Sequence, residues 1–279
     1  MDSSRPVVWI TGAGGLIGHH LAGQAPAALA GYRIMPLGRP DLDLADPVAV
    51  EARFRTDRPE LILHCAALSR SPACEADPRL ARRLNVEMTR HLVGLDAGVR
   101  LVFFSSDLVF GGRAGGYTEA DSPNPLMVYG ETKAEAEAVV LENAGNLVVR
   151  TSLNAGHSPT GDRGVDEQLY AAWRDGRTAR LFSDEIRTPI PATETARAVL
   201  DLVRAGARGV IHVSGGERLS RWELGVLLAA RNPDLKPRIE RTSIHDQPGM
   251  KRPSDVGLDC GKAEALLGRP MPRFSDWTG

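Results

Sequence analysis

The chain has 279 residues, with 34 Lys and Arg against 35 Asp and Glu, 42% hydrophobic and 25% charged. A formal net charge of −1 provides no global drive toward nucleic acid or acidic membranes. No apolar run approaches the ~20 residues of a membrane span, which with this composition excludes disordered, disulfide-scaffold and membrane classes. Residues 1–6 are polar and lack the apolar stretch of a secretory signal. Three cysteines (Cys65, Cys74, Cys260) make an odd number, so reduced thiols in a cytoplasmic protein are expected.

In chain order, residues 7–10 read as a strand running into a glycine turn and an Ala/Leu helix that Pro26 should end. Residues 33–37 make a second strand. Asp46-Pro47 opens a helix, with Asp as N-cap and Pro at the first helical position, where a missing N–H costs nothing. Residues 61–64 and 101–104 are continuous apolar strands, as burial on both faces demands. Between them, 81–97 reads as one helix. A helix over 133–144 precedes a strand at 147–150. Strands separated by helical segments imply right-handed crossovers and an α/β fold with a Rossmann-type, doubly wound parallel sheet.

Beyond Arg150 the texture changes. Residues 154–164 are rich in Gly, Ser, Pro and Asp and read as loop. A helix (165–174), a strand (179–182), a helix (193–204) and a strand (210–213) follow. Two further helices are expected, capped by Ser220 and Asp259, with irregular Pro-rich chain over 232–253. The expected division is a dinucleotide-binding domain over 1–150 and a smaller substrate-binding lobe over 151–279, folded onto the sheet.

The first chemical signal is Thr11-Gly12-Ala13-Gly14-Gly15-Leu16-Ile17-Gly18 between a strand and a helix. Gly12 permits the tight turn, Gly15 lets backbone approach a pyrophosphate, and Gly18 lets helix and strand pack closely. Leu16 and Ile17 begin the helix whose free N–H groups face the anion. At the end of the second strand Arg39 stands where an NAD-preferring fold carries a carboxylate. It suits a 2′-phosphate, so NADP(H) is favoured over NAD(H), the alternative being a solvated arginine. Asp41 and Asp43 lie close by and could still reach sugar or adenine.

The second signal is Tyr129-Gly130-Glu131-Thr132-Lys133, whose phenol and ammonium share a helix face. A nearby ammonium favours the phenolate and should draw the tyrosine below its ordinary value near 10. Such a tyrosine can protonate an alkoxide formed by hydride addition. A buried strand ending in Ser105-Ser106-Asp107 brings hydroxyls to the same crevice, since strand carboxyl ends line it in a parallel sheet.

With these motifs the chain resembles the extended short-chain dehydrogenases/reductases, most closely the dTDP-4-dehydrorhamnose reductase branch. The resemblance runs through residues 41–47, His64-Cys65-Ala66-Ala67, Asn85-Val86, 105–110, 129–133, Arg150-Thr151-Ser152, Arg187-Thr188-Pro189 and Arg252-Pro253. It implies that Ser106 steadies a substrate carbonyl, Tyr129 is the general acid, and Lys133 orients the ribose and tunes Tyr129. It puts Ala66, Ala67 and Ser105 beside the cofactor, Asp43-Leu44 near adenine, and Asp107 on the substrate side. Arg187 and Arg252 are candidates for a nucleotide diphosphate, because guanidinium matches phosphate geometry; a surface ion pair is the alternative.

Leu108 and Leu153 depart from that branch, which often has tyrosine and tryptophan there, so the sugar stays open. Leu108 also replaces the glutamate of the 4,6-dehydratases. The expected reaction is reduction of a ketone, the 4-keto group of a nucleotide-linked deoxysugar, as in dTDP-rhamnose biosynthesis. Two alternatives stay open: a 4-epimerase with retained NAD, and a non-catalytic NADP-binding regulatory subunit. No metal, nucleic acid or membrane is expected, and a homodimer is left open. His64 reads as a satisfied buried histidine, His19 and His20 as a solvated helix face, and Trp173 and Trp222 as core.

Overall fold

The computed structural model describes residues 5–246 and 251–278. β1 (Val7–Thr11) is buried along its whole length, and its side chains divide by parity. Val8 and Ile10 enter one hydrophobic core, Val7 and Trp9 another, as a two-residue period requires. α1 (Leu16–Ala28), β2 (Arg33–Leu37), α2 (Pro47–Asp57), β3 (Pro59–His64), α3 (Ser71–Ala76), α4 (Pro78–Arg82), α5 (Met88–Gly94), β4 (Arg100–Ser106), α6 (Val128–Leu141) and β5 (Leu147–Thr151) follow. Then come β6 (Asn154–Ala155), α7 (Val165–Arg174), β7 (Ala179–Phe182), β8 (Ile186–Arg187), β9 (Ile190–Pro191), α8 (Ala192–Arg204), β10 (Gly209–Val213), β11 (Leu219–Ser220), α9 (Arg221–Arg231), β12 (Ile239–Thr242) and α10 (Gly261–Leu267).

Six strands form one parallel sheet in the order β2-β1-β3-β4-β5-β10. α1, α8 and α10 cover one face; α2, α5 and α6 cover the other. This is the doubly wound Rossmann-type architecture. The chain steps outward from β1 to β2, then returns to β3 on the other side of β1. That reversal opens a crevice at the strand carboxyl ends, where such folds bind ligands. The second half of the chain is divided: α8 and β10 complete the main sheet. α7, α9 and β7 form a separate small core around Trp173, Leu181, Leu224 and Phe274, with Ile239 of β12 packed against it.

Four local expectations differ from the structure. α1 continues through Pro26 to Ala28, because a proline in the last turn forfeits a single hydrogen bond while Leu21, Ala25 and Leu29 hold the segment in the core. The helix expected over 81–97 is broken by a π-turn, Arg83–Glu87. The helix expected from Asp259 begins at Gly261 with Cys260 as N-cap; the Asp259 carboxylate instead accepts from the Gly261 N–H at 2.8 Å. Within the stretch read as irregular, Ile239–Thr242 forms β12, parallel to β7. Four residues flanked by proline and charge carry too little periodicity to be seen alone; positions 247–250 lie outside the described residues. Ser220 caps α9 as expected, in a reciprocal capping box with Glu223.

Candidate active site

The glycine turn closes tightly. Gly12 has φ +70°, and a Cβ there would lie 2.6 Å from the Ala66 N–H nitrogen; a Cβ on Gly18 would collide with the Gly12 carbonyl. Only glycine fits either position. α1 begins after Gly15 with no side-chain cap and no acid in its first turn, so nothing built into the turn competes with an anion there. The bend brings Ala66, on the loop after β3, against the turn. These features fit a dinucleotide's pyrophosphate. Arg39 is exposed at the end of β2. Asp41 caps its own turn by accepting from the Gly38 N–H (2.8 Å), Asp43 accepts from the Ala45 N–H (3.0 Å), and Leu44 is buried in the core. His19 is exposed, whereas His20 is half-buried with an unpartnered Nε2, a departure from a fully solvated face.

His64 ends β3 in a closed hydrogen-bond chain. The Thr89 hydroxyl donates to the Asn85 carbonyl (2.8 Å), so it accepts from His64 Nε2 (3.0 Å), and Nδ1 accepts from Thr11 (2.7 Å). The ring is neutral: burial, with the Lys133 charge second, lowers its pKa from 6.5 to about 3. Below pH 6.5 the unfolded chain therefore binds a proton that the folded ring refuses. This contribution costs nothing above that pH and grows as pH falls toward 3, by about 1.4 kcal/mol per pH unit. His64→Asn is expected to flatten the dependence of urea-derived stability on pH across that window; an unchanged slope would rule the assignment out.

β4 and α6 bring the second motif together. Tyr129 is the second residue of α6, and its phenol lies close enough to Ser106, at the end of β4, for that hydroxyl to act on its pKa. Gly130 lets this turn approach the Leu108 carbonyl more closely than any side chain would allow. Ser106 donates to Asp107 (3.0 Å) and accepts from the Leu108 N–H (3.2 Å). Ser105 points to the opposite face, where its hydroxyl donates to Glu137; its side chain is thus committed to the α6 interior. Glu137 also holds Arg150 through Nε (3.0 Å) and Nη2 (2.8 Å), an ion pair with both partners buried.

Lys133 is buried beneath this turn, its Nζ 3.9 Å from the centre of the Phe103 ring. Burial pulls its pKa down to about 7 against the opposing charge of Glu137. The expectation that Lys133 would draw Tyr129 down is not met. Burial, then the Asp107 charge, pushes the phenol well above 10, outweighing Ser106 and Arg187, which act in the other direction. The phenol accordingly stays protonated at neutral pH, in the form that can donate.

Asp107 is completely buried and fully engaged. It accepts from Arg187 through both oxygens (2.7 and 2.5 Å) and from Ser152 (2.6 Å). Glu185 lies 3.5 Å from Arg187 and 3.3 Å from Arg252, whose guanidinium sits 5.1 Å over the Phe182 ring. Arg221 joins this group and was not singled out by any motif. Burial lowers its pKa, with Arg187 and Arg252 adding to the effect and Glu185 opposing it. Among the described residues, it meets no carboxylate at ion-pair distance. Three guanidiniums thus face two carboxylates, leaving a cationic wall beside Tyr129.

All three cysteines are free, Cys74 and Cys260 buried and Cys65 half-buried. Among the described residues, no cluster of three or more His, Cys, Asp or Glu is arranged for a metal, and no helix is long and apolar enough to cross a membrane.

The chain has relatives among known proteins. The chain is 31% identical to methionine adenosyltransferase 2 subunit beta of Rattus norvegicus, over 95% of this chain and 84% of the relative. It is 28% identical to a probable low-salt glycan biosynthesis reductase of Haloferax volcanii, covering 96% and 94% of the two chains. Among solved structures, dTDP-4-dehydrorhamnose reductase from Bacillus anthracis, in complex with NADP, superposes with a TM-score of 0.86 at 25% identity, covering 98% of this chain and 96% of that one. The family model described as RmlD substrate binding domain matches residues 7–277. With its glycine turn, its Tyr–Lys helix and its doubly wound sheet, the chain belongs to that family, within the extended short-chain dehydrogenases/reductases.

Proposed function

We propose that the chain is a reductase that uses NADPH, or less readily NADH, to reduce the 4-keto group of a nucleotide-linked deoxysugar. The observation that carries this reading is the convergence of Tyr129, at the start of α6, on Ser106 at the carboxyl end of β4, with Lys133 one turn along the same helix. A bound reduced nicotinamide supplies the hydride. Tyr129, protonated at neutral pH, donates its proton to the ketone oxygen as negative charge develops there. Ser106 turns its hydroxyl from Asp107 to the same oxygen, and the two donors stabilise the nascent alkoxide. Asp107 keeps its bonds to Ser152 and Arg187 throughout. Lys133 orients the ribose from beneath the phenol.

Gly12, Gly15, Leu16, Ile17 and Gly18 would hold the pyrophosphate by backbone, with Ala66 and Ala67 on the opposite wall and Asp43-Leu44 toward adenine. The relative bound to NADP supports a nicotinamide cofactor. Arg252 and Arg221 have positive charge to offer a diphosphate, whereas Arg187 is tied to Asp107. Leu108 stands where the 4,6-dehydratases carry a glutamate, and both Asp107 oxygens are taken by Arg187, so no second acid/base side chain is offered for dehydration. Single-turnover NADPH oxidation with dTDP-4-keto-6-deoxyglucose tests the reading. Tight NADPH binding without oxidation of that ketone, or of a panel of others, would overturn it.

Arg39 gives the cofactor preference its own test. Charge-assisted hydrogen bonds to a 2′-phosphate are worth about 1.5–3 kcal/mol, so Arg39→Ala is expected to weaken NADPH roughly 10- to 100-fold. NADH should change by less than about threefold. Equal losses for both, measured by calorimetry, would remove Arg39 from the site and reopen the epimerase with retained NAD.

A second reading has a specific observation behind it. Relatives 31% identical over 95% of this chain are subunits of methionine adenosyltransferase 2. A chain that binds NADPH, reduces nothing and co-elutes with a methionine adenosyltransferase would be a partner subunit instead.

A further inference from the structure

We propose that Glu75 is the positioning residue that holds Tyr129 in place, a role that rests on the reductase reading above. α6 starts badly by its own sequence. Its N-cap, Met127, has no side-chain oxygen to accept from the first-turn N–H groups, and those groups precede and include Tyr129. The missing acceptor comes from another element: Glu75, near the end of α3, accepts from the Val128 N–H through Oε1 at 2.8 Å. A carboxylate there also sits at the positive end of the helix dipole.

The same upstream segment grips the turn a second time. Asn85, in the π-turn, donates to the Thr132 hydroxyl (3.0 Å), which donates to the Tyr129 carbonyl (2.9 Å). Asn85 is itself locked to the loop after β3, accepting from the Leu68 N–H (2.7 Å) and donating to its carbonyl (3.2 Å). On the far side, Gly130 is pressed against the Leu108 carbonyl. The turn carrying the phenol is therefore fixed at its N–H, at its carbonyl and along its flank. Of the three, only the Glu75 contact supplies what α6 cannot provide for itself.

Losing this acceptor frees the first turn to fray, and displacement of a proton donor by about 1 Å can cost 100-fold in rate. Glu75→Ala is expected to lower kcat for ketone reduction roughly 10- to 100-fold. KM for the ketone and Kd for NADPH should stay within about threefold, since neither the glycine turn nor the arginine wall involves Glu75. Glu75→Gln keeps an oxygen that can accept and should recover most of kcat. Hydrogen exchange at the Val128 and Tyr129 amides should speed up in the alanine variant and not in the glutamine variant. An alanine variant with unchanged kcat and exchange overturns the assignment. So does a glutamine variant as impaired as alanine, or a loss of kcat matched by an equal rise in KM and Kd. Because exchange needs no turnover, a wild type that reduces no ketone but shows the expected exchange pattern would count against the reductase and not against the clamp.

Discussion

Tyr129→Phe is expected to remove ketone reduction by about 10²- to 10⁴-fold, the usual worth of a positioned acid, while leaving NADPH affinity within about twofold. The phenol lies by Ser106 and is lifted by burial and Asp107, so its proton is present at neutral pH and its loss removes the proposed proton donor. No other group can step in cheaply. Ser106 can offer the oxygen a hydrogen bond but is too weak an acid to give up its proton, Lys133 is beneath the turn against Phe103, and Asp107 is occupied by Arg187 and Ser152. Single-turnover oxidation of bound NADPH measures the chemical step directly. If the phenylalanine variant keeps even a tenth of the wild-type rate, the proton comes from elsewhere.

The largest stability effect is expected at the Glu137–Arg150 pair. Both side chains are buried, 3% and 4% exposed, and Glu137 also takes the Ser105 hydroxyl. Arg150 further approaches His212 (3.4 Å) and lies 5.0 Å over the Phe110 ring. Arg150→Met strands a carboxylate in the interior, at a cost of about 3–5 kcal/mol. For a chain of this size that is a Tm lower by roughly 6–20 °C. Replacing both partners, Arg150→Met with Glu137→Leu, removes the stranded charge and should recover most of the loss, less what Ser105 and His212 forfeit as partners. Calorimetric unfolding of the single and the double variant beside wild type decides it. A single mutant within 1 kcal/mol of wild type would mean that water reaches the carboxylate.

The second pair also bears on chemistry. Glu137 opposes the burial that lowers the pKa of Lys133. A change at Arg150 that alters Glu137 should therefore be felt at Lys133 as well as in stability, whereas Arg39 and Glu75 act through binding and geometry alone.

Elements with a local cause were legible in the residues themselves. Gly12, Gly15 and Gly18 at three-residue spacing after an apolar strand specify their turn through backbone sterics alone. The Asp46-Pro47 start is likewise local: Asp46 accepts from the Val48 and Ala49 N–H groups. Continuous apolar runs at β1, β3 and β4 announce a sheet covered on both faces, because no other arrangement buries both parities of a strand. The i and i+4 spacing of Tyr129 and Lys133 put the two on one helix face before any coordinates.

The electrostatic surroundings of these two side chains come from residues far away in the chain. The phenol is raised, not lowered, because burial and then Asp107 outweigh Ser106 and Arg187. Arg187, a diphosphate candidate in the sequence with an ion pair as the alternative, pairs with Asp107, while Arg221, in no motif, meets no carboxylate at ion-pair distance among the described residues. Ser105 and Ser106 are neighbours in sequence with opposite fates, one committed to Glu137 and one meeting Tyr129. The π-turn carries Asn85, whose side chain is held by Leu68 and Thr132, partners distant in sequence. Backbone conformation follows from residues within a turn of one another, so a sequence displays it. The state of a buried charge depends on which opposite charge the topology sets beside it and how much water is excluded, and only the folded chain brings those partners together.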